Sequence, residues 1–151
     1  MVRIAAILML ALQALHASGP AMAQSTATPG AVVTVYKSST CGCCGAWVEH
    51  LRKNGFRVIA HDVADVTGYR QKLGIPQALG SCHSAAVAGY AIEGHVPAAD
   101  IQRLLRERPK ARGIAVPAMP LGSPGMEGPR KDPYQTLLFH SDGNYVVFER
   151  H

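Results

Sequence analysis

An α/β domain with a mixed sheet flanked by helices is the fold class this chain predicts, and three observations carry it. Short apolar runs of strand character alternate with stretches of helical periodicity through residues 32–108. A two-residue turn, Ala88-Gly89, separates two strand-like runs and marks a hairpin. A Cys-x-x-Cys, Cys41 to Cys44, stands where the first strand turns into the first helix. That order of elements, with a dithiol at the first strand-to-helix turn, is thioredoxin-like. A long Pro/Gly/Met loop and a C-terminal β-hairpin complete the expected domain.

The N-terminus reads as a targeting segment. Arg3 precedes an apolar run over 4–15 broken only by Gln13, and Ala21-Met22-Ala23 gives a small-x-small cleavage site, so residues 1–23 are expected to be a cleaved secretory signal peptide. The run is too short to span a bilayer and no later stretch approaches about 18 uninterrupted apolar residues, so no membrane span is expected. Residue 24 is Gln, not Cys, which argues against lipid anchoring. The expected organisation is a signal peptide at 1–23, a flexible leader at 24–31 and one thioredoxin-like domain at 32–151, located in the periplasm. The formal charge of +5 includes Arg3, leaving about +4 after cleavage, on basic residues scattered with few aromatics between them. Such a surface does not predict a nucleic-acid partner.

The elements follow in order. Residues 32–36 form a nearly continuous apolar run, the first strand. Ser38, Ser39 and Thr40 offer N-caps for a helix over about 43–54, in which Cys44, Val48 and Leu51 face the core with Trp47 alongside and Asn54-Gly55 closes the helix. Residues 56–63 make a second strand, parallel to the first, and a helix over about 65–73 ends at Gly74-Ile75-Pro76. Pro76 is a position where a cis bond could occur. The loop 77–83, carrying Cys82-His83, leads into the hairpin 84–87 and 90–93. Pro97 opens a third helix with Ile101, Leu104 and Leu105 on one face, and Pro109 stops it. Residues 113–133 hold five prolines, four glycines and two methionines and are expected to be irregular. Strands over 136–140 and 145–149 form the terminal hairpin.

Three of the four cysteines, Cys41, Cys43 and Cys44, fall within four residues. A helix N-terminus stabilises anions and so favours thiolate, the form that attacks disulfides or binds metals. Cys43 and Cys44 are adjacent and could join only through a strained ring, whereas Cys41 and Cys44 lie within disulfide reach. Structural disulfides, zinc, and a redox or copper site are the competing readings. An all-cysteine zinc site usually has a second close cysteine pair, which this sequence lacks.

The chain resembles the CopG-type family of exported bacterial copper-resistance proteins. The likeness rests on Tyr36-Lys37-Ser38, Cys41-Gly42-Cys43-Cys44-Gly45 with Trp47, Ser81-Cys82-His83, Gly89-Tyr90, Glu93-Gly94-His95-Val96-Pro97, residues 115–120 and residues 122–127. The resemblance implies a thioredoxin-like fold, copper binding and a role in copper tolerance, carried over to Cys41, Cys43, Cys44 and Cys82. Soft thiolates and thioethers favour Cu(I). If Cys41 and Cys43 are both helical, their side chains point roughly 200° apart, so one ion cannot take all three thiols, and sulfur bridging between several Cu(I) ions is expected. His83 is a further candidate ligand or ligand partner. Met119 and Met126 are candidate ligands on a loop expected to close over the cysteines. His95 reads as a helix-start contact, and His50 and His61 as surface residues. Copper ions and other periplasmic copper-handling proteins are the expected partners. A thiol-disulfide oxidoreductase working through Cys41 and Cys44 is the rival reading, and it needs neither Cys43, Cys82 nor the methionine loop.

Overall fold

The computed structural model describes residues 30–151; the expected signal peptide and most of the leader lie outside the described residues. Seven strands and three α-helices alternate along the chain: β1 (Val32–Lys37), α1 (Gly42–Lys53), β2 (Arg57–Asp62), α2 (Val66–Lys72), a 3-10 turn (Gln77–Leu79), β3 (His83–Val87), β4 (Tyr90–Gly94), α3 (Ala98–Glu107), β5 (Gly113–Val116), β6 (Gln135–Phe139) and β7 (Tyr145–Arg150). All seven strands join one mixed sheet in the order β2-β1-β3-β4-β5-β6-β7. β1 and β2 are parallel, β3 runs antiparallel to β1, and β3 and β4 form the expected hairpin. The fold is α/β and thioredoxin-like, with the hairpin β6-β7 extending the same sheet.

Alternation along the strands divides the apolar residues between two faces. Val33, Val35, Val87, Ile92, Ile114 and Val116 pack with Trp47, Val48 and Leu51 of α1 and Ile101 and Leu104 of α3. Ala91, Ala115 and Phe139 face the other way, toward Ile75 and Leu79 just after α2. Each large side chain buried in these layers contributes about 1.5–3 kcal/mol. β1 and α1 therefore meet at a fixed corner, and the Cys-x-x-Cys lies in it.

Two local expectations need correcting, and the isomer at Pro76, open in the sequence, is fixed. The segment after residue 112 is not irregular from its start, because Gly113–Val116 is a strand, parallel to β4 and antiparallel to β6, with every residue buried. Its glycine is required there: a Cβ on Gly113 would lie 1.9 Å from the Ala91 carbonyl oxygen. None of Ser38, Ser39 or Thr40 caps α1; Cys41 is the N-cap residue and its side chain makes no capping bond. The hydroxyls shape the preceding turn instead, with Ser38 Oγ accepting from Thr40 N at 3.3 Å. Pro76 is trans, since the described residues contain no cis peptide bond. Among the described residues no helix is long and apolar enough to cross a membrane.

Candidate metal centre

Two stretches of chain converge on one pocket. From the β1-α1 corner come Cys41, Cys43 and Cys44; from the residue before β3 comes Cys82. One sulfur from each lies within 4.8 Å of the other three. Cys41 and Cys44 are joined in a disulfide with Cα atoms 5.3 Å apart, while Cys43 and Cys82 are free. The sulfurs of Cys41 and Cys43 are 3.5 Å apart. The expected 200° divergence is thus overturned, for a backbone reason: Cys41 is extended, with φ −82° and ψ 94°, so only Cys43 follows the helical rotation.

A second donor group shares Cys82. With His83 and His95 it forms a Cys/His/His set whose ligand atoms also fall within 4.8 Å of one another. Cys82 Sγ is 3.1 Å from His95 Nε2 and 3.4 Å from His83 Nδ1. On its other edge His95 Nδ1 lies 2.8 Å from the Pro124 carbonyl, which can only accept, so that nitrogen carries the hydrogen and Nε2 presents a lone pair to the sulfur. His95 therefore belongs to the site, not only to the start of α3 as its sequence context suggests. His83 is fully buried, tilted against Trp47 with ring centroids 4.3 Å apart, and among the described residues its Nε2 has no hydrogen-bond partner. A buried nitrogen without a partner is costly in a core and suits a position where a metal or its ligand would complete the set.

The electrostatics keep the imidazoles neutral. Burial, with His95 nearby, pushes His83 down to about 3, and burial also lowers His95, partly offset by the Pro124 carbonyl. Burial, then repulsion from Cys43, pushes the Cys82 thiol up to about 12. Without a cation, Cys82 holds its proton and donates to His95; a bound soft cation would displace that proton. Imidazole nitrogens and cysteine sulfurs form a donor set that fits a soft cation.

The loop after β5 reaches this pocket near its middle, around Gly125. Gly125, at φ +86°, lies so close to α1 that a Cβ would stand 2.7 Å from the Cys43 carbonyl oxygen and 2.8 Å from Trp47 N. Pro124 and Gly125 therefore border the site, and half-buried Met126 follows them directly in the chain. Met119 is placed otherwise. It is 48% exposed and lines a groove of about 670 Å³ with Pro117, Tyr134, Arg150 and His151, a groove that no cysteine lines. His50 accepts from Ala98 N at 3.1 Å and thereby ties α1 to the start of α3.

Comparison with known proteins then bears on what this pocket is. Two solved structures, described as forms 1 and 2 of copper resistance protein CopG, are each 45% identical to this chain. Form 2 covers 81% of this chain and 98% of its own with a TM-score of 0.77; form 1 covers 82% and 98% with a TM-score of 0.76. The chain belongs to the CopG family of copper resistance proteins. Residues 79–126 also match the family described as "Protein of unknown function, DUF411", a span that holds Cys82, His83, His95 and the loop through Met126. No curated protein sequence matches. The CopG resemblance read from the cysteine, histidine and Pro/Met blocks is therefore correct.

Proposed function

We propose that this chain is an exported copper-handling protein that binds Cu(I) through Cys41, Cys43, Cys44 and Cys82, with His83 and His95 completing the donor set. The observation that carries the reading is the convergence of four sulfurs, from two separate stretches of chain, within 4.8 Å in a member of a copper-resistance family. Cys82 belongs to both donor groups, which supports a bridging sulfur and more than one bound ion. Loading all four sulfurs needs the Cys41–Cys44 disulfide opened, a two-electron, two-proton reduction that an external dithiol supplies. The four-sulfur site is thus available only to the reduced protein. Met126, next in the chain to Gly125, is the thioether better placed to take part, and Met119 the less. Periplasmic location follows from the leader read in residues 1–23.

The experiment is Cu(I) titration of the reduced protein under anaerobic conditions, with metal analysis and a zinc competition arm. More than one Cu(I) per chain, undisplaced by zinc, is expected. Strict one-to-one binding would sink the bridged site, and preference for zinc would sink the copper reading.

A second reading, thiol-disulfide exchange, is favoured by the disulfide itself, since Cys41 occupies the half-exposed N-terminal position of a Cys-x-x-Cys and Cys44 is buried. It predicts turnover of a dithiol-disulfide couple that survives replacement of Cys43 and Cys82.

A further inference from the structure

The loop that delivers Cys82 is gripped by a buried ion pair that metal binding does not itself use. Arg70 on α2 and Glu93 on β4 are 6% and 0% exposed, and Arg70 Nε lies 2.8 Å from Glu93 Oε1. The pair closes on one residue. Glu93 Oε1 also accepts from Ser81 N at 2.7 Å, and Arg70 Nη2 donates to the Ser81 carbonyl at 2.5 Å. Beyond Cys82, the Ser84 hydroxyl donates to Glu93 Oε2 at 2.5 Å. The Ser81 hydroxyl donates in turn to the Ala118 carbonyl. Gly80 makes room for the guanidinium, because a Cβ there would stand 3.1 Å from Arg70 Cζ.

Stability alone does not explain such a pair. Burying two charges costs several kcal/mol per ion, and a well-packed apolar pair of similar volume often serves the core as well or better. What the ion pair adds is position. α1 places Cys41, Cys43 and Cys44, but Cys82 lies between the 3-10 turn and β3, where no helix or strand ladder fixes it. Glu93 holds the chain on both sides of Cys82, at Ser81 and at Ser84, and Arg70 holds Ser81 from the opposite edge.

We propose that Arg70 and Glu93 are positioning residues that fix Cys82 opposite the Cys41–Cys44 corner. What Cys82 does once placed rests on the copper reading above. Two variants test the idea. Arg70→Lys keeps the charge but lacks the fork that reaches Glu93 and the Ser81 carbonyl together. Arg70→Met combined with Glu93→Gln removes both charges at once, a change that leaves folding near neutral.

The first readout needs no copper: the rate of Cys82 alkylation by iodoacetamide in oxidised protein, mapped by mass spectrometry with Cys43 as internal reference. The second is Cu(I) affinity of the reduced protein by competition with a chromophoric chelator, and the third is the urea midpoint. The Cys82 to Cys43 labelling ratio is expected to rise about tenfold as the loop opens. Cu(I) affinity should fall by about 10- to 100-fold, the usual effect of removing groups that orient a ligand, while the double variant keeps its urea midpoint. An unchanged labelling ratio in a folded variant overturns the proposal, whatever the midpoint does; if the double variant fails to fold, Arg70→Lys decides. Cys82→Ser separates the two claims. If it leaves Cu(I) affinity intact the copper reading falls, and the labelling ratio still judges Arg70 and Glu93.

Discussion

Cys41 sits at the N-cap of α1 with an extended backbone, and for that reason its sulfur meets Cys43 at 3.5 Å instead of pointing away from it. Cys43 thus lies beside the disulfide without belonging to it. Replacing it discriminates the two functional readings: Cys43→Ser is expected to keep the Cys41–Cys44 disulfide and its exchange chemistry but to lower Cu(I) stoichiometry and weaken binding by about tenfold or more, measured by chelator competition. Undiminished copper binding by that variant would favour the exchange enzyme. The methionines give a second residue-scale test. Met126→Leu should speed copper loss in a chelator chase, whereas Met119→Leu, in the separate groove, should match the parent. The four cysteines and His83 were legible in the sequence by type and spacing. His95 was not, because a Gly-His-Val-Pro turn reads as the start of a helix. The missing signal was hairpin register: Ser84 pairs with Glu93 across Ala88-Gly89, and counting outward from that pair sets His83 against Gly94 and Cys82 against His95, in keeping with the 3.1 Å between Cys82 Sγ and His95 Nε2.

At the scale of elements, the contact between loop and helix turns on one glycine. Any side chain at Gly125 meets α1 backbone and must also hold φ at +86°. Gly125→Ala is expected to cost about 1–3 kcal/mol in urea unfolding and to lift Pro124 from His95, so that copper loss accelerates as well. Retained copper with lowered stability would show that the loop does not guard the site. β1, α1, the β3-β4 hairpin and α3 announce themselves through apolar period, Gly punctuation and Pro97. β5 escaped notice because a four-residue strand buried on both faces has no alternation, and the prolines and glycines that follow it dominate the composition of the segment.

The molecule as a whole carries several imidazoles that its burial holds neutral. His83 is pushed down to about 3, and burial is also the leading cause that lowers His50 and His95. The unfolded chain takes up these protons near 6.5, the folded chain only at lower pH, for His83 about 3. Stability from this source is therefore complete above pH 6.5 and is lost as pH falls toward about 3, at about 1.4 kcal/mol per pH unit for His83 alone. Glu127, lowered chiefly by the Gly125 N–H, acts in the same direction below 4.5, while Glu93, raised by burial, opposes it. Urea midpoints of the metal-free protein should be level from pH 7.5 to about 6.5 and then fall toward pH 4, and His83→Gln should flatten part of that slope. A profile that stays level below pH 6.5 would mean the imidazoles are not held neutral.

Trp47 is the chain's single tryptophan, wholly buried, with its indole donating to Val96 O at 2.8 Å and its face against His83. The protein therefore carries its own optical probe at the pocket wall. Its emission should be blue-shifted in the folded state, free of interference from any other indole, and should be quenched stepwise as copper enters beside His83. Stopped-flow fluorescence could then resolve the order in which the two donor groups fill, with no label attached.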